Sequence, residues 1–229
     1  MDFAVIIAAA GRGTRIASER PKQFLALQGV PILALVLDAF EAAPEIGAIL
    51  PVIPEGMEHE YERVVKSRRS QKLLAAVPGG STRQRSVARG LLALPPSWQW
   101  VLVHDGARPF VAPELIRAVC AQARRSGAAV PALPSVDTVK EADGAGRVLR
   151  TIARDRVFLA QTPQGFRRDL LEDARRRAEA EGFEGTDEAS LLERAGVPVD
   201  LVPGSPANLK ITTAEDLKSA EGLFRSRPR

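Results

Sequence analysis

The chain has 229 residues, 45% hydrophobic and 26% charged, with a net charge of +4. That length supports one large α/β domain with a substantial core, and the balance is that of an ordinary globular protein, which excludes disordered and fibrous classes. Aromatic residues, at 5%, are too few to stack single-stranded nucleic acid, and the Arg-rich clusters KSRRS and DARRRAEAE read as solvated helix faces.

One domain spanning 1–229 is expected, with no nucleic-acid partner. The single cysteine, Cys120, leaves no internal disulfide and no thiolate zinc site. With His59 and His104 the only histidines, any metal has to be a hard cation on carboxylate and phosphate oxygens, which suggests magnesium carried in by a substrate. The run AVIIAAA is far short of a membrane span, and Asp2 stands where a signal peptide would carry Lys or Arg. A cytoplasmic location without membrane contact is therefore expected.

In chain order, FAVIIAA reads as a first strand, followed by the glycine-rich, basic loop AAAGRGTRIASERPKQ, a form that usually holds phosphate. PILALVLDAF predicts a helix with one buried face at Ile32, Leu35, Val36, Ala39 and Phe40, and Pro31 suits its first turn. IGAILPVI is a second strand, MEHEYERVVKSR a helix, KLLAAVPGG a third strand, and Thr82 to Leu94 a helix. WVLVHD is a fourth strand; PELIRAVCAQARRSG is a helix with apolar spacing at Ile116, Val119, Cys120 and Ala123; AAVPALPS is a fifth strand. This alternation argues for a parallel sheet with helices on both faces.

From Val136 to about Phe158 the pattern becomes two short β runs around a DGAG turn, a hairpin able to project as an arm. The chain then returns through LAQTPQGF to a helix from about Arg168 to Glu181. TDEASLLERAG predicts a helix with Thr186 as N-cap and Gly196 at its end. VPVDLVPGSPANLKI is a last strand and loop, and TTAEDLKSAEGLF a final helix whose Thr212 and Glu215 have capping-box spacing.

In an open parallel sheet, ligands sit beyond the carboxyl ends of the strands, where GRGTR, GGSTRQRS, HDGARP and SVDTVK converge. The first loop lacks the second glycine and Lys-Ser/Thr pair of a P-loop, and Ile16 stands where a dinucleotide fingerprint needs glycine. Gly11 and Gly13 let the backbone approach a triphosphate, with Arg12, Arg15 and Lys22 as cations; alternatively Gly11 merely turns the chain and the cations face water. Asp105 ends a buried strand, where an unpaired carboxylate is costly and magnesium would stabilise it, so it is read as a metal ligand. Arg108 can reach phosphate or pair with Asp105, and His104 is read as a strand-end packing residue.

The motifs AAAGRGTRIASERPKQF, GGSTRQRSVARGL, VHDGARPF, DTVK, QTPQGF, TDEASLLE and NLKITTAEDL, in this order and spacing, resemble the 2-C-methyl-D-erythritol 4-phosphate cytidylyltransferases of the non-mevalonate isoprenoid pathway. The likeness runs from about Val5 to Phe224. It implies a Rossmann-like, glycosyltransferase-A-like fold with a mostly parallel sheet, and a homodimer formed through the projecting arm at 136–158. It implies CTP and methylerythritol phosphate as substrates, with Arg15 and Lys22 stabilising charge on the α-phosphorus and Asp105 holding magnesium against the phosphates. Ala9, Ala10, Gly80, Ser81 and Ser86 would read the cytosine, while Thr138, Arg154 and Lys210 would bind the methylerythritol phosphate, with Arg108 close by. Thr138 and Arg154 would come from the second subunit. The family often carries an acid where Ser81 stands and an alanine where Gly106 stands.

An anionic phosphate nucleophile needs no general base, so catalysis by positioning and charge neutralisation fits a chain without an evident His or Cys nucleophile. A ribitol-5-phosphate cytidylyltransferase uses much the same fold and motifs. A non-catalytic CTP-sensing regulator and an NAD-dependent dehydrogenase are the readings from other classes; Arg15, Lys22 and Asp105 together argue against the sensor.

Overall fold

The computed structural model describes residues 2–11, 20–66 and 68–226. β1 (Phe3–Ala8) leads, past the glycine loop, to a small antiparallel ribbon of β2 (Ala26–Leu27) and β3 (Val30–Pro31) and then to α1 (Ile32–Glu41). β4 (Ile46–Ile53), α2 (Glu58–Val65), the two-residue β5 (Val77–Pro78) and α3 (Arg83–Ala93) follow. Next come β6 (Trp100–Asp105), α4 (Pro113–Ser126) and β7 (Ala128–Pro134). The chain leaves as a hairpin of β8 (Val139–Ala142) and β9 (Val148–Ile152), then returns through β10 (Phe158–Ala160) and β11 (Gln164–Arg167). It closes with α5 (Arg168–Ala180), α6 (Glu188–Arg194), β12 (Asp200–Pro203) and α7 (Ala214–Ser226).

The central sheet runs β10–β7–β11–β6–β1–β4–β5, with β12 also paired to β7. β1 is apolar at every position because both its faces are covered: Phe3, Val5 and Ile7 join one core cluster, Ala4 and Ile6 the other. The first cluster includes residues of α1, α2 and α4, and the second residues of α3, α5 and α6. Gly90 brings α3 close to the sheet, since a Cβ there would lie 2.8 Å from Ile6 Cγ2 and 2.9 Å from Val52 Cγ2. A third cluster joins Leu27, Ile32, Phe110, Ile211 and Ala220, which ties α7 to the start of α1.

Several expectations change in detail. The sheet is mostly parallel, but β11 enters between β6 and β7 antiparallel to both, and β10 also pairs antiparallel with β7. The third expected strand shrinks to β5, where Val77 and Pro78 pair with Val52 and Ile53, plus one bridge between Leu73 and Ile49. α1 buries Leu33, Ala34 and Leu37 besides Ile32, Val36 and Phe40, because it serves two clusters at once.

Two caps fall one residue later than the spacing predicts. Asp187, not Thr186, caps α6 by accepting from Ser190 N at 3.0 Å. Thr213 and Asp216, not Thr212 and Glu215, close the box at α7: Thr213 Oγ1 accepts Asp216 N, and Asp216 Oδ2 accepts Thr213 N. In both places adjacent residues offer equivalent oxygens, and the chain's path into the helix selects between them.

The DGAG turn closes the β8–β9 hairpin: Asp143 Oδ1 accepts from the backbone N–H groups of Ala145 and Arg147, and Gly146 adopts φ +82°. This hairpin is a two-stranded sheet of its own, apart from the central one.

Candidate active site

Strand register brings the chemistry together. Ala8, the last residue of β1, pairs with Val52 on one side and Asp105 on the other, and Val52 pairs with Val77. The loops after β1, β5 and β6 therefore leave the sheet side by side, and they line a cleft of about 1040 Å³. Ala9, Ala10 and Gly11 contribute one wall, and Gly80, Ser81 and Ser86 another. Lys22, Asp105 and Lys210 also face this cleft. Gly13 and Arg15, like Arg12, lie outside the described residues.

The walls touch through a position only glycine fits. A Cβ on Gly79 would stand 2.1 Å from Ala10 Cβ and 2.9 Å from Ser86 Oγ. Ser86 Oγ donates to Thr82 O at 2.8 Å and accepts Gly80 N at 3.0 Å, holding the turn into α3. Ser81 Oγ accepts from Arg85 at 3.0 Å. Gln23, buried, donates to Ala9 O at 2.5 Å and Gly11 O at 3.2 Å, fixing the start of the glycine loop.

Asp105 is not the unpaired carboxylate the sequence suggests. Its Oδ1 lies 3.3 Å from Arg83 Nε, and its Oδ2 lies 2.9 Å from Lys210 Nζ and 3.5 Å from Arg108 Nε. Burial opposes its charge, but Arg83, Lys210 and Arg108 outweigh burial and hold the carboxyl well below the usual range. Spacing offers only Arg108, three residues on; the other two partners arrive from α3 and from the segment before α7. Among the described residues no three His, Cys, Asp or Glu side chains gather as a ligand set. One carboxylate suits a hard cation whose other ligands are substrate phosphates, so Asp105 fits magnesium on those terms.

Lys22 donates to Ile211 O at 2.8 Å, which links the first loop to the segment carrying Lys210. Arg108 is largely buried; it donates to Asn208 O at 2.8 Å besides facing Asp105, and the cleft lining does not include it. Of its two sequence readings, the structure displays the pairing with Asp105. Thr138 and Arg154 lie exposed on the arm, away from the cleft lining of their own chain, and Arg154 donates to Val136 O at 2.7 Å.

Sequence reasoning did not assign Arg83, Gln23, Thr162, Asn208 or Glu188. Arg83 had a legible signal, because a cation in the first turn of a helix opposes the macrodipole and needs a reason. Buried polar residues such as Gln23 and Asn208 had none, since a motif string does not distinguish an amide facing solvent from one holding backbone.

His104 is a packing residue, as expected. Its ring meets Phe40 edge-on with centroids 4.8 Å apart. Nε2 donates to Arg108 O at 3.1 Å, so Nδ1 is the acceptor for Thr162 Oγ1, also at 3.1 Å; Thr162 Oγ1 in turn accepts Asp105 N. Burial is the main reason that its pKa drops to about 4, from an ordinary 6.5. Below pH 6.5 the unfolded chain takes up a proton that the folded ring refuses, so this residue costs stability as pH falls toward 4, by about 3 kcal/mol in all. Urea midpoints of wild type and His104→Gln at pH 7 and pH 4.5 check this: the wild type should lose more stability on acidification. Equal losses would mean that the ring is protonated in the fold.

Comparison with known proteins gives one answer. The family model described as IspD: 2-C-methyl-D-erythritol 4-phosphate cytidylyltransferase matches residues 3–226. A protein of that name from Pelotomaculum thermopropionicum is 46% identical over 98% of this chain and 94% of its own, and one from Acidobacterium capsulatum is 44% identical over 97% of each. The crystal structure of the 2-C-methyl-D-erythritol 4-phosphate cytidylyltransferase from Thermus thermophilus superposes with a TM-score of 0.80 at 38% identity, covering 98% of this chain and 100% of that one.

Proposed function

The chain belongs to the 2-C-methyl-D-erythritol 4-phosphate cytidylyltransferase family, and on that premise we propose that it transfers CMP from CTP to 2-C-methyl-D-erythritol 4-phosphate, giving 4-diphosphocytidyl-2-C-methyl-D-erythritol and pyrophosphate. The observation that carries this reading is the meeting, in one cleft, of the glycine loop, Lys22, Asp105 and Lys210, all from distant parts of the sequence.

A phosphate oxygen of the polyol phosphate attacks the α-phosphorus of CTP, and the bond from that phosphorus to the β-phosphate bridging oxygen breaks. The nucleophile is already anionic, so the protein has no proton to remove; it has to hold two anions together and neutralise the charge that builds up. Lys22 and Arg15 act on the triphosphate. Lys210 binds the substrate phosphate, and Arg108 supports Asp105 from behind the cleft wall. The cleft-lining segment of Ala9, Ala10, Gly11 and Gly80, with Ser81 and Ser86, forms the side where the base is read, and Gly13 follows in the same loop sequence. Magnesium, held by Asp105 together with the phosphates, supplies further charge neutralisation when bound.

The working form is a homodimer. Val136, Val148, Leu149, Phe158 and Leu159 expose apolar surface on and beside the arm, which favours cover by a second copy. The partner's Thr138 and the partner's Arg154 then complete the polyol phosphate site. Arg154→Ala is accordingly expected to raise the KM for the polyol phosphate more than that for CTP; equal effects in steady-state kinetics would remove the arm from the site. No helix among the described residues is long and apolar enough to cross a membrane. A cytoplasmic location belongs to the same proposal.

Pyrophosphate release with CTP and magnesium tests the function, with 2-C-methyl-D-erythritol 4-phosphate and ribitol 5-phosphate compared side by side. Turnover with the methylerythritol compound alone is expected. Turnover with ribitol phosphate alone would keep the chemistry and change the substrate, and silence with both would leave a nucleotide-binding regulator.

A further inference from the structure

The TDEAS segment has no part in the chemistry derived so far, yet it places a fully enclosed carboxylate against the cleft. Glu188, at the first position of α6, is 2% exposed. Both its oxygens take Nη1 of Arg83, at 2.8 and 2.9 Å. Arg83 opens α3, lines the cleft, and turns its Nε toward Asp105 Oδ1 at 3.3 Å.

We propose that Glu188 is a positioning residue for the nucleotidyl transfer: it holds the Arg83 guanidinium so that only Nε faces Asp105, on Oδ1, which keeps Arg83 off Asp105 Oδ2, the oxygen that Lys210 and Arg108 approach and that faces the substrate side of the cleft. The inference rests on the cytidylyltransferase reading above and deepens it. Two observations and one physical argument carry it.

The first is that a buried acid is a poor choice for packing alone. An apolar side chain of similar volume usually stabilises a core at least as well as a buried ion pair, so the pair points to a need for a fixed charge. Burial is the larger influence and leaves the Glu188 carboxyl above its ordinary range, with Arg83 pulling it back toward the charged form.

The second is that the carboxylate is placed rigidly. Asp187 caps α6, and Gln164 of β11, 1% exposed, donates to Asp187 Oδ2 at 2.7 Å and accepts Ala189 N at 3.2 Å. Beside Arg83, Gln84 donates to Phe183 O at 3.2 Å and accepts Gly185 N at 2.8 Å. The first turn of α3 is thus clasped to the segment leading into α6 at two adjacent residues.

The third concerns what Arg83 would do unheld. A guanidinium beside a carboxylate favours a two-point pair. Freed from Glu188, Arg83 closes on Asp105 with its fork and competes with Lys210 for the oxygen that the reaction uses.

The test is steady-state pyrophosphate release from CTP and 2-C-methyl-D-erythritol 4-phosphate by four full-length proteins: wild type, Glu188→Gln, Arg83→Gln and the double variant. Glutamine keeps the shape and one acceptor for Arg83 but not the charge, so a lower melting temperature is expected, and a cooperative transition well above the assay temperature is the folding control. Glu188→Gln is expected to lower kcat by about tenfold to a hundredfold, as supporting-residue losses usually do, and to leave the KM for CTP nearly unchanged. Added to Arg83→Gln, it should cost little more, because it acts through the residue already removed. A wild-type kcat in Glu188→Gln, or the same fold-loss in both backgrounds, overturns the positioning role; the first comparison decides alone if the double variant does not fold. Silence of folded wild type would overturn the inference together with the cytidylyltransferase reading, whereas an active wild type beside an unaffected Glu188→Gln overturns the inference only.

Discussion

Lys22→Ala is expected to lower kcat by about a hundredfold or more while the protein remains folded, a loss of about 3 kcal/mol of transition-state stabilisation. The side chain sits where two loops meet, in the cleft and in contact with Ile211 O. Its structural contribution includes the hydrogen bond to the Ile211 carbonyl, worth about 1.5 to 3 kcal/mol for a charged donor. Its chemical contribution grows only as charge develops on the transferring phosphorus, which is why kcat should fall more than affinity. Arg15→Ala should behave alike. Pyrophosphate release and a melting curve on each variant check both halves of the claim; unchanged rates in the two would remove the triphosphate assignment.

Asp105→Asn should be damaging in a different way, losing both activity and stability. An amide of the same shape cannot balance Arg83, Lys210 and Arg108, which would then face one another around a buried neutral side chain. Removing one partner from a buried charge cluster typically costs about 3 to 5 kcal/mol. The loss of stability should appear in urea unfolding without nucleotide or metal. A carboxylate whose only task was to bind a cation would leave the unliganded protein as stable as before, or more so, and that outcome would sink the three-cation account. The pH dependence has a definite sign. The Asp105 pKa is depressed in the fold, so its stabilisation is present above the ordinary value near 3.8 and is lost as pH falls below it; the Asn variant should lack that acid-sensitive part. Turnover should fall about a hundredfold at least, since the proposed mechanism sets this cleft-lining carboxylate against the substrate phosphates.

The two variants separate what a linear pattern carries from what it does not. The sequence by itself determined the layered α/β order, because apolar runs of strand length and helical spacing are local properties: β1, β4, β6, β7 and helices α3 and α4 lie where FAVIIAA, IGAILPVI, WVLVHD, AAVPALPS and their neighbours predict. It also determined the hairpin at the DGAG turn, through Asp143 and Gly146, and part of the cleft: residues of GGSTRQRS and HDGARP line it with Gly11, whereas SVDTVK runs into the arm and lines none of it. Ala9, Gly80 and Asp105 share one cleft because β1, β5 and β6 run parallel and end level, a consequence of topology.

Only the tertiary structure decided the rest. The antiparallel place of β11 depends on which strands it finds free to pair, and nothing within QTPQGF encodes that choice. The caps at Asp187 and Thr213 depended on the angle at which the chain enters each helix, which separates neighbouring side chains of the same kind. The charge state of Asp105 depended on Arg83 and Lys210, residues 22 and 105 positions away in the chain that no local pattern couples. Side-chain periodicity is set by the backbone within a turn or two, whereas ion pairs and buried amides are set by distances through space, and these exist only once the sheet has formed.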